Sequence, residues 1–288
     1  MRLIRVVVAA TLLLEAPLAS AQESAIEQGE YLIYAGGCVD CHTGDSDGAS
    51  RLAGGRAVES PFGTFYSPNI TPDDETGIGL WSDDDFLNAL WEGINPEGDH
   101  YYPAFPYTSY TGISREDLLA MKAYLFSLKP VEQTTPGHEL AWYISTRLAA
   151  AAWKLKNFDS ARFSIDPEQS DQWNRGAYLV RHLGHCGECH TPRSALGALQ
   201  YEKELAGNPD GPDEEKIPNI TPDRNDGIGK WSVSDIEYFL EVGMLPDGDF
   251  VGGTMGAIID YNTSNLTKED RIAIATYLKS VEPIRSSD

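Results

Sequence analysis

The chain has 288 residues, enough for about two domains, and carries 44 acidic against 22 basic residues, a formal net charge of −22. A field of that sign repels nucleic acid and anionic lipid, so nucleic-acid partners are excluded and partners of complementary, basic charge are favoured. No stretch approaches the roughly eighteen consecutive apolar residues of a transmembrane helix, so no membrane span is expected.

Residues 1–21 read as a secretory signal peptide. Arg2 and Arg5 supply the charged start, Leu3 to Leu14 is largely apolar, and Ala19-Ser20-Ala21 has the form of a cleavage site. Glu15 is unusual in such a segment. The mature chain is therefore expected in the periplasm, without a C-terminal anchor.

A helix is expected from Glu23 to Gly36, leading into Cys38-Val39-Asp40-Cys41-His42. The pentapeptide recurs as Cys186-Gly187-Glu188-Cys189-His190 after a second expected helix, Asn174 to Gly184. C-x-x-C-H reads as a c-type haem attachment site. Two thiols three positions apart on a helical turn suit thioether bonds to the two vinyl groups of one haem, and the adjacent imidazole suits the proximal iron position. Zinc binding or disulfide formation is the competing reading of C-x-x-C. It accounts for neither histidine, whereas the haem reading uses all four cysteines of the chain. Cys38, Cys41, Cys186 and Cys189 are thus read as covalent attachment points for two haem c groups, with His42 and His190 as proximal ligands.

Between and after these motifs the chain repeats itself. Pro68-Asn69-Ile70-Thr71-Pro72-Asp73 returns at 218–223, and Gly77-Ile78-Gly79 with Trp81-Ser82 returns at 227–232. Ser82 with Asp85 and Ser232 with Asp235 are capping-box pairs opening short helices. Further helices are expected to start at Ser114, with Asp117 at the third position, and at Thr267, with Asp270. Leu118, Met121, Leu125 and Leu128 form one apolar face, as do Ile274, Leu278 and Val281. Little alternation of period two is visible, so the predicted class is all-α. The domains are placed at 22–130 and 173–288, joined by a packed helical linker at 131–172. Within the linker a helix is expected from Glu139 to Lys156, burying Trp142, Leu148 and Trp153.

A methionine sulfur on the second axial position of a haem gives a high-potential carrier. Met255, in the glycine-flanked loop Gly252 to Gly256, is the candidate for the second haem, with Met244 as competitor. The first half has Phe105 where Met255 stands and His100 where Phe250 stands. His100 is accordingly the candidate sixth ligand of the first haem; a solvent-facing or propionate-bonded His100, leaving that iron five-coordinate, is the alternative. Met121, His182 and His185 read as structural, and His138 as a weaker ligand candidate.

The motifs resemble the cytochrome c subunits of periplasmic alcohol, aldehyde and gluconate dehydrogenases. The resemblance rests on both C-x-x-C-H motifs, Arg175 to Val180, Gly184-His185-Cys186, Thr191-Pro192-Arg193, both P-N-I-T-P and G-I-G-x-W-S segments, and Tyr102 to Tyr107. Many relatives have methionine where Phe105 stands. The resemblance implies two tandem class I cytochrome c domains. It further implies relay of single electrons from a periplasmic dehydrogenase to a downstream carrier or oxidase, as an electron-transfer subunit without substrate chemistry. A dihaem oxidoreductase of sulfur compounds or peroxide, or a small-ligand sensor, acting at the first haem is the alternative.

Overall fold

The computed structural model describes residues 15–211 and 215–286. The expected signal segment lies mostly outside the described residues. In chain order the helices are α1 (Glu15–Ala35), α2 (Cys38–Cys41), α3 (Asp83–Glu92), α4 (Tyr107–Tyr110), α5 (Arg115–Ser127), α6 (Arg147–Asn157), α7 (Asp171–Tyr178), α8 (Gly187–His190), α9 (Val233–Val242), α10 (Gly253–Tyr261) and α11 (Lys268–Leu278). No helix among the described residues is long and apolar enough to cross a membrane.

The expected all-α class is corrected by a three-stranded antiparallel sheet in the first half, with β1 (Ala57–Ser60), β2 (Gly63–Tyr66) and β3 (Glu139–Leu140) in that order. β1 and β2 form a hairpin with Ala57 opposite Tyr66 and Ser60 opposite Gly63. Four-residue strands are too short for alternation to announce them, and β3 comes from the linker, more than seventy residues on. Gly63 makes that pairing possible. With φ at 119° it lies where side chains are strained, and a Cβ there would stand 2.2 Å from the Glu139 carbonyl oxygen. Phe65 of β2 buries against Tyr102 and Ala150 in a small satellite core.

The linker helix is corrected too. Its predicted first turns are spent on β3, and only Arg147–Asn157 is helical. Trp142 is 85% exposed and Leu148 81%, so neither packs as expected. The linker still touches both halves: the Trp153 indole donates to the Leu196 carbonyl at 2.8 Å, and the Lys154 ammonium donates to the carbonyls of Glu92 and Gly93. Those carbonyls end α3, where a cation is favoured by the helix dipole.

Each half is built on one close helix crossing, α1 on α5 and α7 on α11. At the crossings a Cβ on Gly29 would stand 1.9 Å from the Ala120 carbonyl oxygen, and one on Gly176 would stand 2.0 Å from that of Ala273. The two entry helices differ in length by one residue between Tyr31 and Cys38 and between Tyr178 and Cys186. The second half absorbs the extra residue in a π-helical turn, Leu179–Leu183, the usual structural form of a single insertion in a helix. Both capping boxes expected at α3 and α9 form.

The halves share one continuous core, in which Leu32, Ile33, Ile113 and Leu118 of the first join Leu179, Val180, Leu183 and Ile274 of the second. Polar bonds stitch the seam around it. Tyr31 donates to Asp270 and Tyr178 to Asp117, each at 2.6 Å. His182 Nδ1 bonds the Ser109 carbonyl at 3.0 Å, and His185 Nε2 the Gly36 carbonyl at 3.3 Å.

Candidate cofactor-attachment sites

Each C-x-x-C-H begins where its entry helix breaks. The break needs a left-handed residue immediately before the first cysteine: Gly37 has φ 71° and His185 has φ 38°. Glycine takes that conformation freely, whereas histidine is strained there. The burial of His185 against Tyr110 and its bond to Gly36 hold it in place.

The four cysteines are free thiols. Burial, the largest influence, pushes Cys38 and Cys186 up to about 12. Among the described residues, no three or more His, Cys, Asp or Glu side chains converge to hold a metal ion.

The imidazoles are set alike. His42 Nδ1 lies 2.7 Å from the Pro68 carbonyl oxygen and His190 Nδ1 lies 2.8 Å from that of Pro218. A carbonyl only accepts, so the proton sits on Nδ1 and the Nε2 lone pair is free. Desolvation lowers both imidazoles from their ordinary value, against the opposing pull of the carbonyls, so both are neutral at pH 7. A neutral imidazole oriented through Nδ1 is the state an iron ligand requires.

This orientation explains the P-N-I-T-P repeat, whose presence the sequence announced without its purpose. Asn69 and Asn219 are buried, and their Oδ1 atoms accept from the backbone and hydroxyl of Thr71 and Thr221. Their amides donate to the Val131 and Ile284 carbonyls, fastening each proline carbonyl to the end of its half. A second repeated element, Leu52-Ala53-Gly54 and Leu205-Ala206-Gly207, escaped the sequence reading. Both leucines have positive φ, 62° and 64°, and are buried. The glycine amides donate to the His42 and His190 carbonyls, and the leucine carbonyls accept from Ile70 and Ile220. These loops therefore connect each histidine to its P-N-I-T-P turn. The recurring L-A-G triplet was the available signal.

The acidic residue inside each motif is clamped by an arginine. Asp40 pairs with Arg56, and Glu188 with Arg193 at 2.6 Å. Glu188, one methylene longer, also accepts from the hydroxyls of Thr108 at 2.7 Å and Ser109 at 2.9 Å in the first half. The two motifs thereby approach across the seam, where Cys189 is near enough to Cys41 to act on its ionisation.

The free thiol pairs, the neutral histidines and the left-handed breaks fit a covalently bound haem at each motif. Comparison with known proteins decides the family. The chain is 43% identical over 260 residues to a dihaem c-type cytochrome of Cereibacter sphaeroides, covering 89% of this chain and 86% of that one. The chain belongs to the dihaem c-type cytochromes. The cytochrome is also 40% identical over 265 residues to the fructose dehydrogenase cytochrome subunit of Gluconobacter japonicus, and 39% identical over 272 residues to the gluconate 2-dehydrogenase cytochrome c subunit of Pantoea cypripedii. It spans 54% and 60% of those two subunits. No protein-family profile matches the chain.

The candidate sixth ligands of the cytochrome lie as follows. Met255 stands in the first turn of α10 and is half-buried; the expected loop is helical from Gly253 onward. Met244 pairs with Phe250 in an isolated bridge. His100 occupies the matching bridge, with Ile94, and its Nδ1 lies 3.1 Å from the Lys154 ammonium. Phe105 packs edge-on against Tyr101 and Tyr110. Met121 is 1% exposed in the core. The His138 ring packs against Phe65 and Tyr102, and its Nδ1 accepts from the Tyr66 amide.

Proposed function

We propose that the protein carries two covalently attached haem c groups and relays single electrons in the periplasm, from a dehydrogenase to a downstream carrier or oxidase. The observation that carries this reading is the matched pair of motifs, each with two free thiols and an imidazole whose Nδ1 is committed to a proline carbonyl. When bound, haem iron supplies one-electron chemistry by cycling between ferrous and ferric states.

The residues of the chain attach, orient and shield. Cys38 with Cys41 and Cys186 with Cys189 hold the groups; His42 and His190 offer Nε2 to iron, with basicity raised by the Pro68 and Pro218 carbonyls. Met255 is proposed as sixth ligand at the second site. At the first site the residue the sequence offered, His100, has its Nδ1 taken by the Lys154 ammonium at 3.1 Å. The seam holds the attachment segments at a fixed separation, as a relay between two centres requires.

The dehydrogenase relatives support a dehydrogenase as donor, and the acidic surface supports docking through complementary charge. Expression with cytochrome c maturation machinery is expected to give a mass raised by two haems and a Soret band. Cys38→Ala with Cys41→Ala removes one haem. Material lacking both signatures in the wild type would end this reading.

A further inference from the structure

We propose that the first attachment site leaves its iron without a sixth ligand from the protein and takes a small uncharged diatomic molecule there. The inference rests on the haem reading above and concerns what the side chains around that site can do.

The register of the two halves is fixed by structure as well as by sequence. The Ile94–His100 bridge matches the Met244–Phe250 bridge. The Tyr101 amide donates to the Gly93 carbonyl as the Val251 amide donates to that of Gly243. Counting on from either pair places Phe105 against Met255. Phenylalanine has no lone pair to give. Its ring centroid lies 5.4 Å from that of Tyr101 and 5.7 Å from that of Tyr110. The Tyr110 hydroxyl donates to the carbonyl of Gly36, two residues before Cys38, at 2.7 Å. Phe105 therefore belongs to the wall of the first site.

The other donors are engaged elsewhere. Lys154, anchored on the Glu92 and Gly93 carbonyls, donates to Nδ1 of His100. The His100 proton then sits on Nε2, which has no lone pair left for a metal. The Tyr66 amide does the same to His138. The His182 ring is packed against Phe163 and Tyr178, and the His185 ring against Tyr110, both in the entry segment of the second half. Met121 is enclosed in the apolar core of α1 and α5.

The wall also selects the ligand. Phe105, Tyr101 and Tyr110 present aromatic surface, and the Tyr110 hydroxyl is already donated to the Gly36 carbonyl at 2.7 Å. Phe105 and Tyr110, whose hydroxyl is already committed, supply no acid–base pair, so coordination of a neutral molecule is favoured over peroxide turnover.

The test uses the matured holoprotein with carbon monoxide as probe. Reduced wild type is expected to bind one carbon monoxide per molecule, shifting the Soret band of one haem, and the ferric protein to show a high-spin signal from that haem alone. Phe105→Met is expected to abolish both the uptake and the high-spin signal. Two low-spin haems with no uptake in the wild type would overturn the proposal, and uptake appearing only in His100→Ala would assign His100 as the ligand. Uptake of two molecules would overturn the asymmetry on which it rests. A purified protein without covalent haem would instead defeat the electron-transfer reading itself.

Discussion

The hydroxyl of Tyr178 donates to the carboxylate of Asp117 at 2.6 Å and accepts from the Ser114 amide at 3.2 Å, so a tyrosine of the second half is inserted into the start of a helix of the first. Tyr31 does the reverse, donating to Asp270 at 2.6 Å and accepting from the Thr267 amide at 3.3 Å. In a closed capping box the carboxylate would reach that amide itself, as Asp85 and Asp235 do. Here the tyrosine stands between them, and two local motifs become cross-links between the halves. Tyr178→Phe and Tyr31→Phe are each expected to cost about 1.5–3 kcal/mol, the worth of a hydrogen bond to a charged group. Denaturant unfolding with haem content held constant measures this.

The Asp270 cross-link predicts an acid limb. Burial works against its charge, but the bonds from Arg175, at 2.9 and 2.7 Å, and from Tyr31 outweigh it and hold the carboxyl below its ordinary 3.8. A depressed folded-state value contributes stability that is fully present above the unfolded-state value, near 3.8, and is lost as pH falls through the folded-state value. Asp270→Asn is expected to lower stability at pH 7 and to flatten its decline below about pH 4. Urea midpoints measured from pH 7 to pH 2 separate the two curves; parallel curves would count against it.

The helix crossings tolerate no side chain. In Gly29→Ala and Gly176→Ala the new methyl would meet backbone oxygen at 1.9 and 2.0 Å, which only separation of the helices can relieve. Loss of about 3 kcal/mol or more, or failure to accumulate, is expected. Gly137→Ala is the control, since nothing lies within 4 Å of its would-be Cβ. Its thermal midpoint is expected to stay at the wild-type value.

Glu188 separates the two motifs by consequence. Glu188→Ala leaves the Arg193 guanidinium without its partner at a site where Glu188 is only 9% exposed, and unpairs Thr108 and Ser109. A loss of about 3 kcal/mol is expected, as for breaking a buried ion pair. Glu188→Gln, keeping an acceptor for the hydroxyls, is expected to lose less. Asp40→Ala is expected to lose less too, because Asp40 bonds within its own half. Chemical denaturation of the three variants ranks them.

The C-x-x-C-H pentapeptides and the capped helices were legible because each is local: its residues lie within a few positions of one another. The proline carbonyls that orient His42 and His190 were half-legible, since the repeat marked the segments but not their partner 26 and 28 residues away. The sheet was missed because its strands are short and one comes from the linker. Trp142 and Leu148 were misplaced because apolar composition alone does not say which face finds a neighbour.

By itself the sequence determined the two C-x-x-C-H pentapeptides, the twofold repetition, the helix starts and the phenylalanine at 105 where the second half has Met255. Only the tertiary structure decided that the halves interlock through Tyr31 and Tyr178, that Lys154 occupies His100, and that Glu188 reaches Thr108 and Ser109. The physical reason is range. Covalent spacing and helix capping act over three or four residues, whereas a hydroxyl finds a carboxylate more than sixty residues away only once the chain has packed.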